Sequence, residues 1–152
     1  MGLLARLFGS GTAPRDLLAD LAAAYAAEAG QASLLRADAE RARYPQVAAA
    51  LRTLAEVEDR HAAWIGERLA ALGGQLPALA PADAGGMNQW QRAVAAQHRA
   101  HAKRRRLVEL VAHWDPDEPE VVALLQRMEE EDRRQIAVYD GVIMRSDPQA
   151  ID

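Results

Sequence analysis

Apolar residues return every three or four positions along almost the whole chain, and that spacing decides the secondary structure before any other feature does. Four stretches carry it. Leu18, Leu21, Tyr25, Glu28, Ala32 and Leu35 line the first seam, and Leu51, Leu54, Glu58, His61, Ile65 and Leu72 the second. Trp90, Val94, Gln97, His101, Val108 and Val111 line the third, and Val121, Leu124, Met128, Glu131, Gln135, Val138 and Val142 the fourth. Strand-like alternation is rare, and the dominant residues, Ala, Leu, Arg and Glu, are good helix formers. The expectation is an all-α chain: a four-helix bundle over residues 14–145, an apolar tip over 1–13 and a short tail over 146–152.

The interruptions fall where helices should end. Tyr44 precedes Pro45 and is steered away from helical angles, Gly73-Gly74 forms a stop, and "DPDEPE" at 115–120 breaks the chain and supplies acid to the next helix start. The linker "QLPALAPADAGGMN", residues 75–88, is the longest break. Its 14 residues reach about 48 Å, against about 40 Å for a second helix of some 27 residues. That length permits a crossover that leaves the second and third helices parallel.

Each seam also holds charge or imidazole near its middle: Glu28, then Glu58 and His61, then His101, then Glu131. A carboxylate in a dry core costs several kcal/mol unless it takes a proton, finds a partner or binds a cation. The chain has no cysteine, so a metal site would rest on carboxylate and imidazole, and thiol chemistry is excluded. No phosphate-binding glycine loop, dinucleotide fingerprint or Ser-His-Asp set is present. A net charge of -4 gives no global reason to expect nucleic acid, and "HRAHAKRRR" at 98–106 reads as a solvated face in which Arg99, Lys103 and Arg106 meet water or the acidic fourth helix. An internal echo, "EVEDRH" at 56–61 and "EEEDRR" at 129–134, has an offset of 73 that also carries Glu28 onto His101.

Glu28 followed by Glu58-Asp59-Arg60-His61 resembles the ferritin-like superfamily, in the group of rubrerythrins and bacterioferritins. The resemblance runs from about Asp16 to Tyr139 and is best in the first two helices. The family pattern is one Glu, then Glu-x-x-His, then a second Glu and a second Glu-x-x-His, together holding two irons. Here the second half departs from it: His101 stands for the Glu, and Arg134, with Gln135 beside it, for the last His, leaving Glu131.

Two readings follow. In one, Glu28, Glu58, His61, His101 and Glu131 hold iron, or manganese or zinc, and the resemblance implies oxidation of ferrous iron or handling of oxygen or peroxide. In the other, the layer is a metal-free salt-bridge network with Arg134 and Arg104, and the bundle is a scaffold or adaptor. Tyr25, one turn before Glu28, is placed to hydrogen-bond a ligand carboxylate. Leu3, Leu4, Leu7 and Phe8 form a tip suited to folding back on the body or to docking on a protein or membrane surface. Arg6 stands where a myristoylation motif wants Ser or Thr, and no apolar run is long enough to span a bilayer. The resemblance further implies a homo-oligomer, expected in the cytoplasm.

Overall fold

A computed structural model describes residues 14–82 and 88–149, with side chains from Leu17 onward. Four helices follow in order: α1 (Pro14–Arg41), α2 (Pro45–Ala71), α3 (Gln89–Trp114) and α4 (Pro119–Met144). Among the described residues there is no strand, and no helix is long and apolar enough to cross a membrane. The expected tip, Leu3, Leu4, Leu7 and Phe8, lies outside the described residues.

Local chemistry sets the boundaries. Tyr44 is extended, with φ -106° and ψ 127°, and Pro45 opens α2 where its missing N–H costs nothing. At the other end of α2, Gly73 turns the chain at φ +82°, and the Gly74 N–H donates back to the Leu69 carbonyl at 2.9 Å. A side chain at Gly74 would overlap the Leu69 side chain. Asn88 and Gln91 cap α3 reciprocally. The Asn88 side chain accepts from the Gln91 N–H at 2.9 Å, and the Gln91 side chain accepts from the Asn88 N–H at 3.0 Å.

Helix α1 packs on α2 and α3, and α4 packs on the same two, so α1 faces α4 across one diagonal and α2 faces α3 across the other. Ion pairs fix the directions. Arg106 bonds Asp20 while Arg99 bonds Gln31, so α1 and α3 are antiparallel. Arg68 pairs with Glu120 while Arg60 pairs with Glu131, so α2 and α4 are antiparallel. Arg36 pairs with Asp59 and Leu18 lies beside Gly74, so α1 and α2 are antiparallel, and α2 and α3 therefore run in the same direction. Leu76, beyond the end of α2, faces Gly66, where the missing side chain lets the chain sit close to the helix.

The interior has two apolar clusters. Leu21, Ile65, Leu69, Leu107, Leu110, Trp114, Leu125 and Met128 belong to one, and Leu35, Val47, Leu51, Leu54, Ala96, Tyr139 and Val142 to the other. Between them each helix contributes polar groups at mid-length. The seams of α1 and α2 follow the apolar spacing closely. On α3 the buried line is Ala93, Ala96, Ala100, Leu107, Leu110 and Trp114, a register different from Trp90, Val94, His101 and Val108. On α4 it is Val121, Leu125, Met128, Asp132, Tyr139 and Val142, one position beyond Leu124, Glu131 and Val138. The reason is size. Alanines let α3 approach its neighbours closely, and a seam chosen by bulk follows the wrong face when the packed residues are small.

Candidate metal centre in the bundle core

The layer between the clusters is built from Glu28 and Gln31 on α1, Glu58 and His61 on α2, Lys103 on α3, and Asp132 and Tyr139 on α4. Glu28 is 1% exposed, Glu58 3% and His61 0%, so none of them relies on water. Helical steps of three, four and seven explain the set: Glu58 and His61 lie one turn apart, as do Glu28 and Gln31, and Tyr139 lies two turns after Asp132.

Lys103 occupies the centre. Its Nζ donates to Glu28 Oε2 at 2.5 Å and to Glu58 Oε2, and lies 3.7 Å from Asp132 Oδ2. The other Glu58 oxygen accepts from the Tyr139 hydroxyl at 3.1 Å. That hydroxyl accepts from Gln31 Nε2 at 3.1 Å, and Arg99 Nε donates to Gln31 Oε1 at 2.7 Å. Both oxygens of Glu58 are thus engaged, and the network runs unbroken from α4 to the α1–α3 groove.

Electrostatics divides the carboxyls. Burial pushes Glu28 up, but the neighbouring Lys103 ammonium and the hydrogen bonds from Glu58 and Lys103 overcome it, and its pKa falls well below the usual range. Burial pushes Glu58 far up, and its hydrogen bond to Glu28 adds to the rise, so the pair shares a proton at neutral pH. Burial also raises Asp132, to about 6. Burial works against the Lys103 charge, yet Glu28, Glu58 and Asp132 together raise its pKa, so the ammonium persists.

His61 faces two ways. Its Nε2 lies 3.1 Å from Glu131 Oε2, and Arg60 donates to that same oxygen at 2.7 Å, which holds the carboxylate in its ionised, accepting form. With its proton on Nε2, toward Glu131, a neutral imidazole would present the Nδ1 lone pair to the core. Among the described residues Nδ1 has no hydrogen-bond partner, and it lies 3.6 Å from Glu28 Oε2 and 3.5 Å from Asp132 Oδ1. A lone pair turned toward two carboxylate oxygens is unfavourable by itself. It is favourable with a cation between them, since metal–ligand bonds of about 2.0–2.2 Å separate neighbouring ligand atoms by roughly 3–3.5 Å. Glu28, His61 and Asp132 offer ligand atoms that all lie within 4.8 Å of one another. A single divalent ion fits this donor set. A second ion on the Glu58 side does not, because Lys103 takes that position.

The sequence-derived site maps onto this layer unevenly. Glu28, Glu58 and His61 converge as the spacing implies. Glu131 meets His61 from the outer side, 21% exposed, and Asp132 takes the inward position. The internal offset is therefore 74 rather than 73, and it sets Asp132 and Gln135 opposite Glu58 and His61. Gln135 is half-buried. His101 does not enter the layer: it lines a surface cleft with Arg104, Arg105, Val108 and Glu109. Arg134 bonds Glu130 on the surface and Arg104 bonds Glu129, so neither neutralises the core. Lys103 does that, although the sequence places it on a solvated face; Arg99 and Arg106 likewise bond α1 through Gln31 and Asp20 rather than α4. Tyr25 packs against the first apolar cluster, and the tyrosine that bonds a core carboxylate is Tyr139. The signal for Lys103 was its step from Ala96 and Ala100 to Leu107, and for Tyr139 its step from Asp132.

A family model described as Rubrerythrin matches residues 20–87, a span that holds Glu28, Glu58 and His61 and ends before α3. A search of curated proteins found no match. The four-helix bundle is consistent with this match, which places a rubrerythrin-like signature in α1, α2 and the sequence that follows them.

Proposed function

We propose that this protein binds one divalent transition metal, iron foremost, in the bundle core through Glu28, His61 and Asp132. One observation carries the reading: the fully buried His61 Nδ1 lacks a hydrogen-bond partner among the described residues and faces two carboxylate oxygens at 3.5 and 3.6 Å. The rubrerythrin match over the residues that bear Glu28 and His61 supports iron over manganese or zinc.

Each residue has a separate part. Glu28 and Asp132 supply anionic oxygens. Asp132 gives up its proton as the cation enters, so uptake strengthens as pH rises through about 6. Glu131, held by Arg60, fixes the imidazole tautomer that leaves Nδ1 free. Trp64, stacked 5.5 Å from the His61 ring and covered by the Arg127 guanidinium at 3.9 Å, closes the layer on its α2–α4 side. Iron bound there would supply one-electron redox chemistry toward dioxygen or peroxide. The same reading takes the protein as a homo-oligomer of the cytoplasm.

Aerobic addition of ferrous iron tests the redox part. The expected result is ferric formation faster than in buffer, returning to the buffer rate in Glu28→Gln. Equal rates in buffer, native protein and variant would remove the oxidase reading and leave metal binding to be judged by occupancy.

A second reading draws on Lys103, whose ammonium already neutralises the core. In it the bundle is a metal-free scaffold that docks a protein or a membrane surface through Leu3, Leu4, Leu7 and Phe8.

A further inference from the structure

The family's arrangement places two cations among the carboxylates of the four helices, and the present layer holds an amine where the second would lie. We infer that Lys103 is a built-in substitute for that second cation and limits the core to one metal ion per chain. This rests on the metal-binding reading above and deepens it.

Three observations support the assignment. Lys103 Nζ contacts carboxylates from α1, α2 and α4 together, bonding Glu28 Oε2 at 2.5 Å and Glu58 Oε2 and approaching Asp132 Oδ2 at 3.7 Å. The side chain is 7% exposed, so its charge is balanced by these carboxylates far more than by water. Next, the donors divide around it. Glu58 is consumed by Lys103 and Tyr139, while His61 Nδ1 lies 3.6 Å from Glu28 Oε2 and 3.5 Å from Asp132 Oδ1, the Asp132 oxygen that does not face Lys103. Finally, α4 lacks the imidazole that a second ion would want: Asp132 is followed three residues later by Gln135, an amide that cannot replace it as a strong ligand. A monovalent ammonium reproduces the charge compensation of a metal without its coordination chemistry. An ion paired with this lysine can exchange electrons singly, but has no neighbouring ion with which to share a two-electron step.

Manganese(II) is the probe, because it is stable in air and its spin spectrum separates isolated ions from coupled pairs. The native protein should saturate at one equivalent with an isolated six-line signal. Lys103→Glu should saturate at two, with the six-line signal replaced by that of a coupled pair. Lys103→Met, which keeps the side chain's bulk without its charge, should also take up a second equivalent, and it stands in if the glutamate variant fails to fold. One equivalent in all three proteins would overturn the inference and leave Lys103 a structural counter-ion. Two equivalents in the native protein would overturn it while the metal reading stands. No uptake by the native protein would remove the metal reading itself, and this inference with it.

Discussion

Lys103→Met should lower the stability of the metal-free protein by about 3–5 kcal/mol at neutral pH, the range seen when one partner of a buried ion pair is removed. The cost arises at Glu28. Its carboxyl is buried, and it stays ionised because the ammonium and neighbouring hydrogen bonds outweigh the burial. With methionine beside it, Glu28 must take a proton or remain an isolated charge. The penalty therefore depends on pH in a defined direction. A carboxyl whose folded pKa is depressed adds stability above its ordinary value of 4.5, and that contribution disappears as pH falls through the folded value. The gap between native protein and variant should narrow as pH falls below 4.5 and close only near the folded value of about 2.

Glu58 and Asp132 act in the opposite sense within the native protein. Burial raises both, so the folded chain keeps protons that the unfolded chain releases, and each contribution fades as pH rises above the ordinary values of 4.5 and 3.8. Metal-free native protein should thus be most stable in mild acid and less stable toward pH 9, as measured by urea unfolding across pH. A stability that rises steadily from pH 5 to 9 would contradict the placement of these protons. Saturating manganese should flatten the decline, because the cation replaces the protons.

His61→Leu should reduce metal affinity by at least about 100-fold while leaving the helices intact. Leucine is close to imidazole in volume, and the site is fully buried beneath Trp64, so the packing loss is small. Glu131 keeps Arg60 as a partner, Glu28 keeps Lys103, and Asp132 keeps the Lys103 ammonium at 3.7 Å, so no carboxylate is left without a cation. What disappears is the nitrogen that faces Glu28 and Asp132. Metal titration followed by calorimetry, with circular dichroism as the check on fold, separates the two effects. Unchanged affinity in a folded His61→Leu protein would move the site elsewhere.

The helices were legible in the sequence because apolar spacing, Pro45, Gly73-Gly74 and "DPDEPE" all agree on where they start and stop. The crossover was legible as a length allowance, and the shared direction of α2 and α3 realises it. The first half of the site was legible for the same reason: Glu58 and His61 interrupt a seam of large apolar residues, where a polar residue stands out. The second half was not. On α3 the packed residues are Ala93, Ala96 and Ala100, which are too small to mark a face, and the inward cation sits in a run of seven basic or imidazole residues, "HRAHAKRRR". On α4 three consecutive glutamates precede Asp132, so charge alone does not tell which acid turns inward. Only the partner helices settle it, through contacts far apart in the chain such as Lys103 with Glu58 and Tyr139 with Glu58.

The central claim, a single metal held by Glu28, His61 and Asp132, is tested most directly by elemental analysis of native protein purified without a metal-affinity tag, before and after loading with ferrous iron. One equivalent per chain, lost in His61→Leu, is the expected result. Less than about a tenth of an equivalent after loading would contradict it, and would make the bundle a ferritin-like fold whose core is neutralised by Lys103 alone.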